Sequence, residues 1–311
     1  MDARGGVGAG GRGRYAGGVQ PTVTSALRSA LSVLSASATP SSDAEELLSR
    51  LLGVSRPQLH LLGDRALTAD ESARLDSWLR RRLAREPVQY ITGRAAFREL
   101  DLAVTPGVLI PRPETEGLVE AVLDALRAMG ACWQAPRVLD LGTGSGAIAL
   151  ALAAEWPAAL VTATDASATA LEQARANATA LGLSARIRFL AGDWFRAVGM
   201  GELFEVVVSN QPYVATDEWD RLPEDVRGFE PPAALFSGAS GLDAAREIVE
   251  AAPRHLVPGG LLALELADER AAGVAGGLEG VRDWAAVELR ADLLGRPRYL
   301  LARRAGVPPP R

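Results

Sequence analysis

The stretch RVLDL, Gly142-Thr143-Gly144-Ser145-Gly146, AIALALAAE constrains the fold more than any other part of the chain. A short apolar run stops at a glycine loop, and an apolar helical pattern follows at once. The change of period reads as strand, tight turn and helix. The pattern repeats downstream: VTATD, a helix through Asn177, RIRFL, FEVVVSN, a helix over residues 243–255, then LLALEL. Strands alternating with helices imply a parallel sheet covered by helices, an α/β fold. The terminal run WAAVELRADLLGRPRYLLARR carries two strand-like segments around Gly295 and Pro297, which predicts an antiparallel hairpin added to the sheet.

A different pattern precedes this region. Residues 22–86 carry apolar positions at helical spacing, with start signals at Ser42-Asp43 and at Thr68 ahead of Glu71, so a small all-helical domain is expected. Residues 87–113, with Tyr90, Ile91, Phe97 and Leu102 broken by Gly93 and Pro106, predict a strand pair between the domains. Helical pattern resumes from Glu114 to Met129. The Gly/Arg-rich residues 1–21 and the terminal residues 304–311 are expected to be disordered tails, since neither has apolar content for a core.

Composition removes several function classes. A formal net charge of -5 argues against a nucleic-acid backbone as partner. One cysteine, Cys132, cannot close an internal disulfide, and His60 and His255 are far apart, so no metal site is expected. Every basic residue is arginine, which excludes Schiff-base and Walker-lysine chemistry. No run of about 18 apolar residues suggests a membrane span. A cytoplasmic monomer is expected.

The loop of Gly142, Thr143, Gly144, Ser145 and Gly146 lets backbone approach a ligand closely, yet Gly142, Gly144 and Ala147 also fit a dinucleotide fingerprint. Asp165 ends the next strand, where a carboxylate can accept from both ribose hydroxyls of an adenosine, or cap the following helix. Trp194, after Asp193, can frame an adenine or serve as core. These residues fit an adenosine cofactor of either the nicotinamide or the S-adenosylmethionine kind.

The segment Asn210-Gln211-Pro212-Tyr213 follows the strand FEVVV and so lies on the same sheet edge. An amide nitrogen is a poor nucleophile because its lone pair is delocalised, and a catalyst must hold it in line with an electrophile. The Asn210 side-chain oxygen and the Gln211 main-chain carbonyl can each accept one N–H of such an amide. Pro212 stiffens the turn, and the Tyr213 ring can pack on a planar amide.

With PVQYITGR, TPGVLIPRPETE, VLDLGTGSGAIALALA, GDWF, VVSNQPYV and VRGFEPPAALFSGASGLD, the chain resembles the HemK (PrmC) family of bacterial peptide-chain release factor N5-glutamine methyltransferases from about Ser25 to Arg303. The resemblance implies a Rossmann-like S-adenosylmethionine-dependent methyltransferase domain over residues 114–303, a β-hairpin linker over 87–113 and a helical substrate-binding domain over 22–86. It implies S-adenosyl-L-methionine as cofactor and, as substrate, the glutamine of the Gly-Gly-Gln motif in class 1 release factors. Cofactor contacts then fall on Gly142 to Gly146, Asp165, Trp194 and Asn210, and substrate-amide contacts on Asn210, Gln211, Pro212 and Tyr213.

Two positions depart from the family pattern. Gln211 stands where the family has the first proline of Asn-Pro-Pro-Tyr, and Glu265-Leu266-Ala267 stands where a Glu-Ile-Gly type sequence is usual. Because the Gln211 contact is through the main chain, activity is expected to survive, and Glu265 receives no role. Arg112 and Glu116 are expected to form a structural ion pair, and His255 to sit as a cation at a helix C-terminus. Competing readings are an adenine N6 methyltransferase, a nucleotide-dependent oxidoreductase and a non-catalytic S-adenosylmethionine-binding module.

Overall fold

The computed structural model describes residues 20–306 and divides the chain into two compact units, one ending at Thr92 and one beginning at Gly93. The tails expected over residues 1–21 and 304–311 fall mostly outside the described residues; the last sheet strand reaches Arg304.

The first unit is helical: α1 Val23–Val33, α2 Pro40–Leu52, α3 Arg56–Leu61, α4 Ala69–Leu83 and α5 Val88–Thr92. Their apolar stripes meet in a core that includes Leu34, Leu47, Leu48, Leu59 and Leu75. Thr68 and Glu71 form the capping box that their spacing predicts. The start of α2 differs from expectation. It begins at Pro40, not after Ser42-Asp43, because Asp43 turns inward to accept from Ser37 Oγ at 2.6 Å, Thr39 Oγ1 at 2.9 Å and Arg82 Nε at 2.7 Å. The strand expected from Pro87 is also corrected. Val88 and Ile91, three residues apart, face the same helical core and hold this segment as α5.

The second unit opens with a small hairpin, β1 Arg94–Phe97 and β2 Leu100–Ala103, followed by α6 Pro113–Met129. Then come β3 Arg137–Leu141, α7 Ala147–Glu155, β4 Leu160–Asp165, α8 Ala168–Ala180, β5 Ile187–Ala191 and β6 Phe204–Ser209. After α9 Glu224–Phe229 and α10 Asp243–Ala251, the chain runs through β7 Leu256–Glu265, α11 Asp268–Leu278, β8 Trp284–Ala291 and β9 Pro297–Arg304. Strand order in the seven-stranded sheet is β5-β4-β3-β6-β7-β9-β8; β3 to β7 run parallel, and β8 and β9 form the antiparallel terminal hairpin.

Alternation along each strand builds a core on both faces. Val138, Val206, Val208 and Leu261 join the layer holding α6 and α7, while Leu139, Leu141, Val207 and Leu262 join the layer holding α10 and α11. Helix α7 is buried from Ala147 to Ala153, as its uninterrupted apolar sequence requires. Pro258-Gly259-Gly260, a sequence with turn chemistry, lies inside β7. Register against β6 jumps from Phe204↔Leu256 to Val206↔Leu261, so these residues form a bulge that tolerates a proline. His255 is not a helix-terminal cation: its ring stacks on Phe195 at 4.5 Å, and burial lowers its pKa, favouring the neutral form.

The chain builds β3, β4 and β5 outward, then returns to place β6 on the other side of β3. A crevice opens where strand order reverses, at the carboxyl ends of β3 and β6.

Candidate active site

A cavity of about 430 Å³ occupies that crevice and is lined by Gly142, Thr143, Gly144, Ser145, Asp165, Trp194, Asn210 and Pro212. Gly142, Gly144 and Gly146 take φ of 69°, 58° and 87°, conformations that favour glycine. Their roles differ. A Cβ on Gly144 would meet no atom within 4 Å, so the loop presents an open concave backbone there. A Cβ on Gly146 would meet Leu150 Cδ1 at 2.9 Å and Ala174 Cβ at 3.2 Å, and Gly146 is not among the cavity-lining residues. It secures helix packing beneath the loop.

Asp165 holds the loop from β4. Its Oδ2 accepts from Gly144 N at 2.9 Å and its Oδ1 from Ser167 N at 2.8 Å; the cap of α8 is Ser167, not Asp165. Burial raises the Asp165 carboxyl, and the two backbone N–H groups pull it back down. Trp194 is half-buried with φ 43°, an unusual conformation for a non-glycine residue, and its Cζ3 lies 3.3 Å from where a Gly142 Cβ would stand. The ring thus closes the cavity against the first loop glycine while its other face packs on the core.

The loop after β6 meets residues that sequence reasoning missed. Asn210 Nδ2 donates to Thr115 Oγ1 at 2.8 Å, and Thr115 Oγ1 donates to Glu265 Oε2 at 2.8 Å. Among the described residues nothing donates to Asn210 Oδ1, and Asn210 and Thr115 both line the cavity. Gln211 is 1% exposed; its Nε2 donates to the Glu265 main-chain oxygen at 2.7 Å, while its Oε1 has no partner among the described residues. Neither Gln211 nor Tyr213 lines the cavity. Tyr213 is half-buried behind the loop, its hydroxyl 3.5 Å from Glu265 Oε1, and burial pushes that phenol up to about 12.

Glu265, which the sequence left without a role, is fully buried, and burial pushes its carboxyl up to about 7. Asp140 on β3 was also missed. It is fully buried, accepts from Thr143 Oγ1 at 2.6 Å, leaves Oδ1 without a partner among the described residues, and is pushed up to about 7 by burial. The motif context, an aspartate two residues before the first loop glycine, was the available signal. Arg112 pairs with buried Glu230, not with Glu116, which accepts from Arg98 N at 3.0 Å. That pair ties the PRPETE segment to the GFEPPAALF segment, whose Pro231, Ala233 and Ala234 form another wall of the cavity.

Among the described residues no group of three or more His, Cys, Asp or Glu side chains could hold a metal ion, and no helix is long and apolar enough to cross a membrane. An open glycine loop, a carboxylate at the end of β4 and an aromatic wall meet at the strand-order reversal, and with the antiparallel hairpin β8-β9 closing the sheet they fit the Rossmann-like methyltransferase class. Residues 25–93 match the PrmC N-terminal domain model and residues 119–222 the methyltransferase small domain model. A release factor glutamine methyltransferase of Koribacter versatilis is 43% identical, covering 91% of this chain and 99% of the relative. One of Burkholderia pseudomallei is 45% identical, covering 85% and 92%. The chain belongs to the release factor glutamine methyltransferase family. Among solved structures, the hMettl16 catalytic domain in complex with a MAT2A 3′UTR hairpin shares the fold at TM-score 0.54 and 15% identity, covering 77% of this chain and 83% of that one.

Proposed function

We propose that this protein transfers a methyl group from S-adenosylmethionine to the side-chain amide nitrogen of the glutamine in the Gly-Gly-Gln motif of class 1 release factors, and so acts on translation termination. The family relation supports the donor and the release factor as substrate. The observation that carries the chemistry is the orientation of Asn210: its Nδ2 is taken by Thr115, leaving Oδ1 as an acceptor in the same cavity as the glycine loop.

When bound, S-adenosylmethionine supplies an electrophilic methyl group on a sulfonium. Gly142 to Ser145 line the space for it, Asp165 has lone pairs left for ribose hydroxyls, and Trp194 offers a flat apolar wall. Gly146 supports this loop from below. Asn210 Oδ1 accepts one N–H of the substrate amide, and the main-chain oxygen of Gln211, next to Asn210 on the same loop though not itself part of the cavity wall, the other, which turns the nitrogen lone pair toward the methyl group. These two acceptors also stabilise the positive charge that grows on nitrogen as the C–N bond forms. As the C–N bond forms the methyl–sulfur bond would break with its electron pair left on sulfur, and the extra proton on the now far more acidic nitrogen would pass to water, so no strong base is required. Pro212 shapes the turn at the cavity, and Tyr213 supports it from behind. The helical unit takes part in holding the release factor.

Intact-mass analysis of a class 1 release factor incubated with the protein and S-adenosylmethionine tests this. One added methyl is expected, and none on a substrate whose Gly-Gly-Gln glutamine is alanine. Cofactor binding without any gain of mass on the intact glutamine overturns it.

A further inference from the structure

Glu265, the last residue of β7, bonds to the loop that carries the proposed chemistry, though it does not line the cavity described above. Its main-chain oxygen anchors Gln211, its Oε1 faces Tyr213, and its Oε2 accepts from Thr115, which in turn accepts from Asn210. We infer that Glu265, acting through Thr115, is a positioning residue that sets the hydrogen-bond polarity of Asn210. This rests on the proposed role of Asn210 as the acceptor for the substrate amide.

The argument is one of proton counting. An ionised carboxylate only accepts, and a threonine hydroxyl has one proton to give. With Thr115 Oγ1 donating to Glu265, what remains on that oxygen is lone pairs, and these can face only the N–H end of the Asn210 amide. The amide oxygen is thereby turned to the cavity. Thr115 and Glu265 are 3% and 0% exposed, so the Thr115–Glu265 bond lies away from bulk water. A protonated Glu265 reverses the logic. It can donate to Thr115, whose own proton is then free to point at Asn210, and the amide can present its NH2 to the substrate. An N–H facing a substrate N–H holds nothing.

The surroundings place this switch near neutrality. Burial raises the Glu265 carboxyl; Thr115 from α6, Arg298 from β9 and Tyr213 from the loop after β6 favour its ionised form, and Glu114 from α6 opposes it. Arg298 is itself held by Asp292 at 3.2 Å, and Arg112 faces Tyr213.

The chain has two asparagines, Asn177 and Asn210, which makes the test direct. The full chain labelled with 15N-asparagine gives two side-chain NH2 pairs. The Asn210 pair is expected to shift with pH, with a midpoint near the Glu265 value of about 7. The Asn177 pair, bonded to main-chain atoms of Ala103 and Ser145, stays fixed and serves as reference. Thr115→Val and Glu265→Gln abolish the Asn210 titration, and Thr115→Ser keeps it. In methylation assays Thr115→Val lowers kcat by about 10- to 100-fold, leaves cofactor Kd within about twofold, and loses the acid limb of the kcat profile; Thr115→Ser restores both. An Asn210 pair that does not titrate, or that titrates unchanged in Thr115→Val, overturns the relay, as does a kcat loss matched by an equal loss of cofactor affinity. The resonance arm needs no substrate. If the wild-type protein fails to methylate a release factor, the proposed function falls while the relay is still decided.

Discussion

A glycine is required at two loop positions for different reasons, and substitution separates them. Alanine at Gly144 meets no neighbour but must hold φ 58°, a strain of about 1–2 kcal/mol, and its methyl stands in the open face of the loop. Alanine at Gly146 carries the same kind of strain and also presses on Leu150 and Ala174. Gly144→Ala is therefore expected to lose cofactor affinity by about tenfold or more with modest loss of stability, while Gly146→Ala lowers the denaturation midpoint more. Calorimetric titration and urea unfolding on both variants check this, and an inverted ranking would sink it. Gln211 is a third case. Gln211→Ala removes the donor to Glu265 and leaves a buried carbonyl unpaired, at about 1–3 kcal/mol of stability, but keeps the main-chain oxygen proposed to meet substrate. Urea unfolding should show that cost while kcat falls by less than about tenfold; an inactive variant restored by Gln211→Pro would show that the family proline itself is needed. The glycines, Asp165 and Asn210 were legible because each sits at a fixed place relative to a strand end. Thr115 and Glu265 were not, because Thr115 meets Asn210 only across 95 residues, and Glu265 meets Thr115 only across 150.

Elements place these residues, and the contact of α6 with β9 shows how closely. Gly117 on α6 leaves room for the Tyr299 ring; a Cβ there would stand 2.7 Å from Tyr299 Cζ. Tyr299 uses that position to donate to the Glu114 carbonyl at 2.6 Å, next to Thr115. Helix propensity alone favours alanine over glycine by about 1 kcal/mol. Overpacking costs about 1–3 kcal/mol, so Gly117→Ala is expected to destabilise on balance and, by shifting α6, to lower kcat. Unfolding and kinetics measured together decide it; a stabilised variant with full activity would show that Tyr299 moves aside freely. Elements with a strong sequence pattern, the amphipathic α4 and the apolar runs of α7 and β6, were readable directly. Two segments were not. Five residues of α5 carry too little periodicity to distinguish a helix from a strand, and the helical core around Val88 and Ile91 decides the matter. The Pro258-Gly259-Gly260 sequence has turn chemistry, yet pairing with β6 on one side and β9 on the other carries the strand past it as a bulge.

At the scale of the whole molecule, buried carboxylates near the cavity make stability depend on pH against the usual direction. Asp140 and Glu265 are raised in the folded chain to about 7, from ordinary values of 3.8 and 4.5. Between those limits the folded chain holds more protons than the unfolded one, so stability falls as pH rises through the window. The raised Asp165 and Glu230 act in the same direction. His255, lowered by burial, acts oppositely, since its neutral folded form gains relative stability as pH climbs through the unfolded histidine value. Several carboxylates outweigh one half-buried imidazole, and the chain is expected to be more stable at mildly acidic than at mildly alkaline pH in the absence of cofactor. Replacing one of these groups with its neutral isostere should then stabilise the alkaline form. Glu265→Gln is expected to gain about 1–3 kcal/mol in urea unfolding at alkaline pH, with little change near the acid end of the window. The same substitution removes the acceptor-only carboxylate that orients Asn210, so its gain in stability should come with a lower kcat at alkaline pH and no acid limb. A variant that is less stable at every pH would mean that the bonds of the Glu265 carboxyl to Thr115 and Tyr213 outweigh the cost of burying its charge, against this prediction. One that is more stable and less active would show that the fold keeps a charge in its interior for the sake of the amide it aligns.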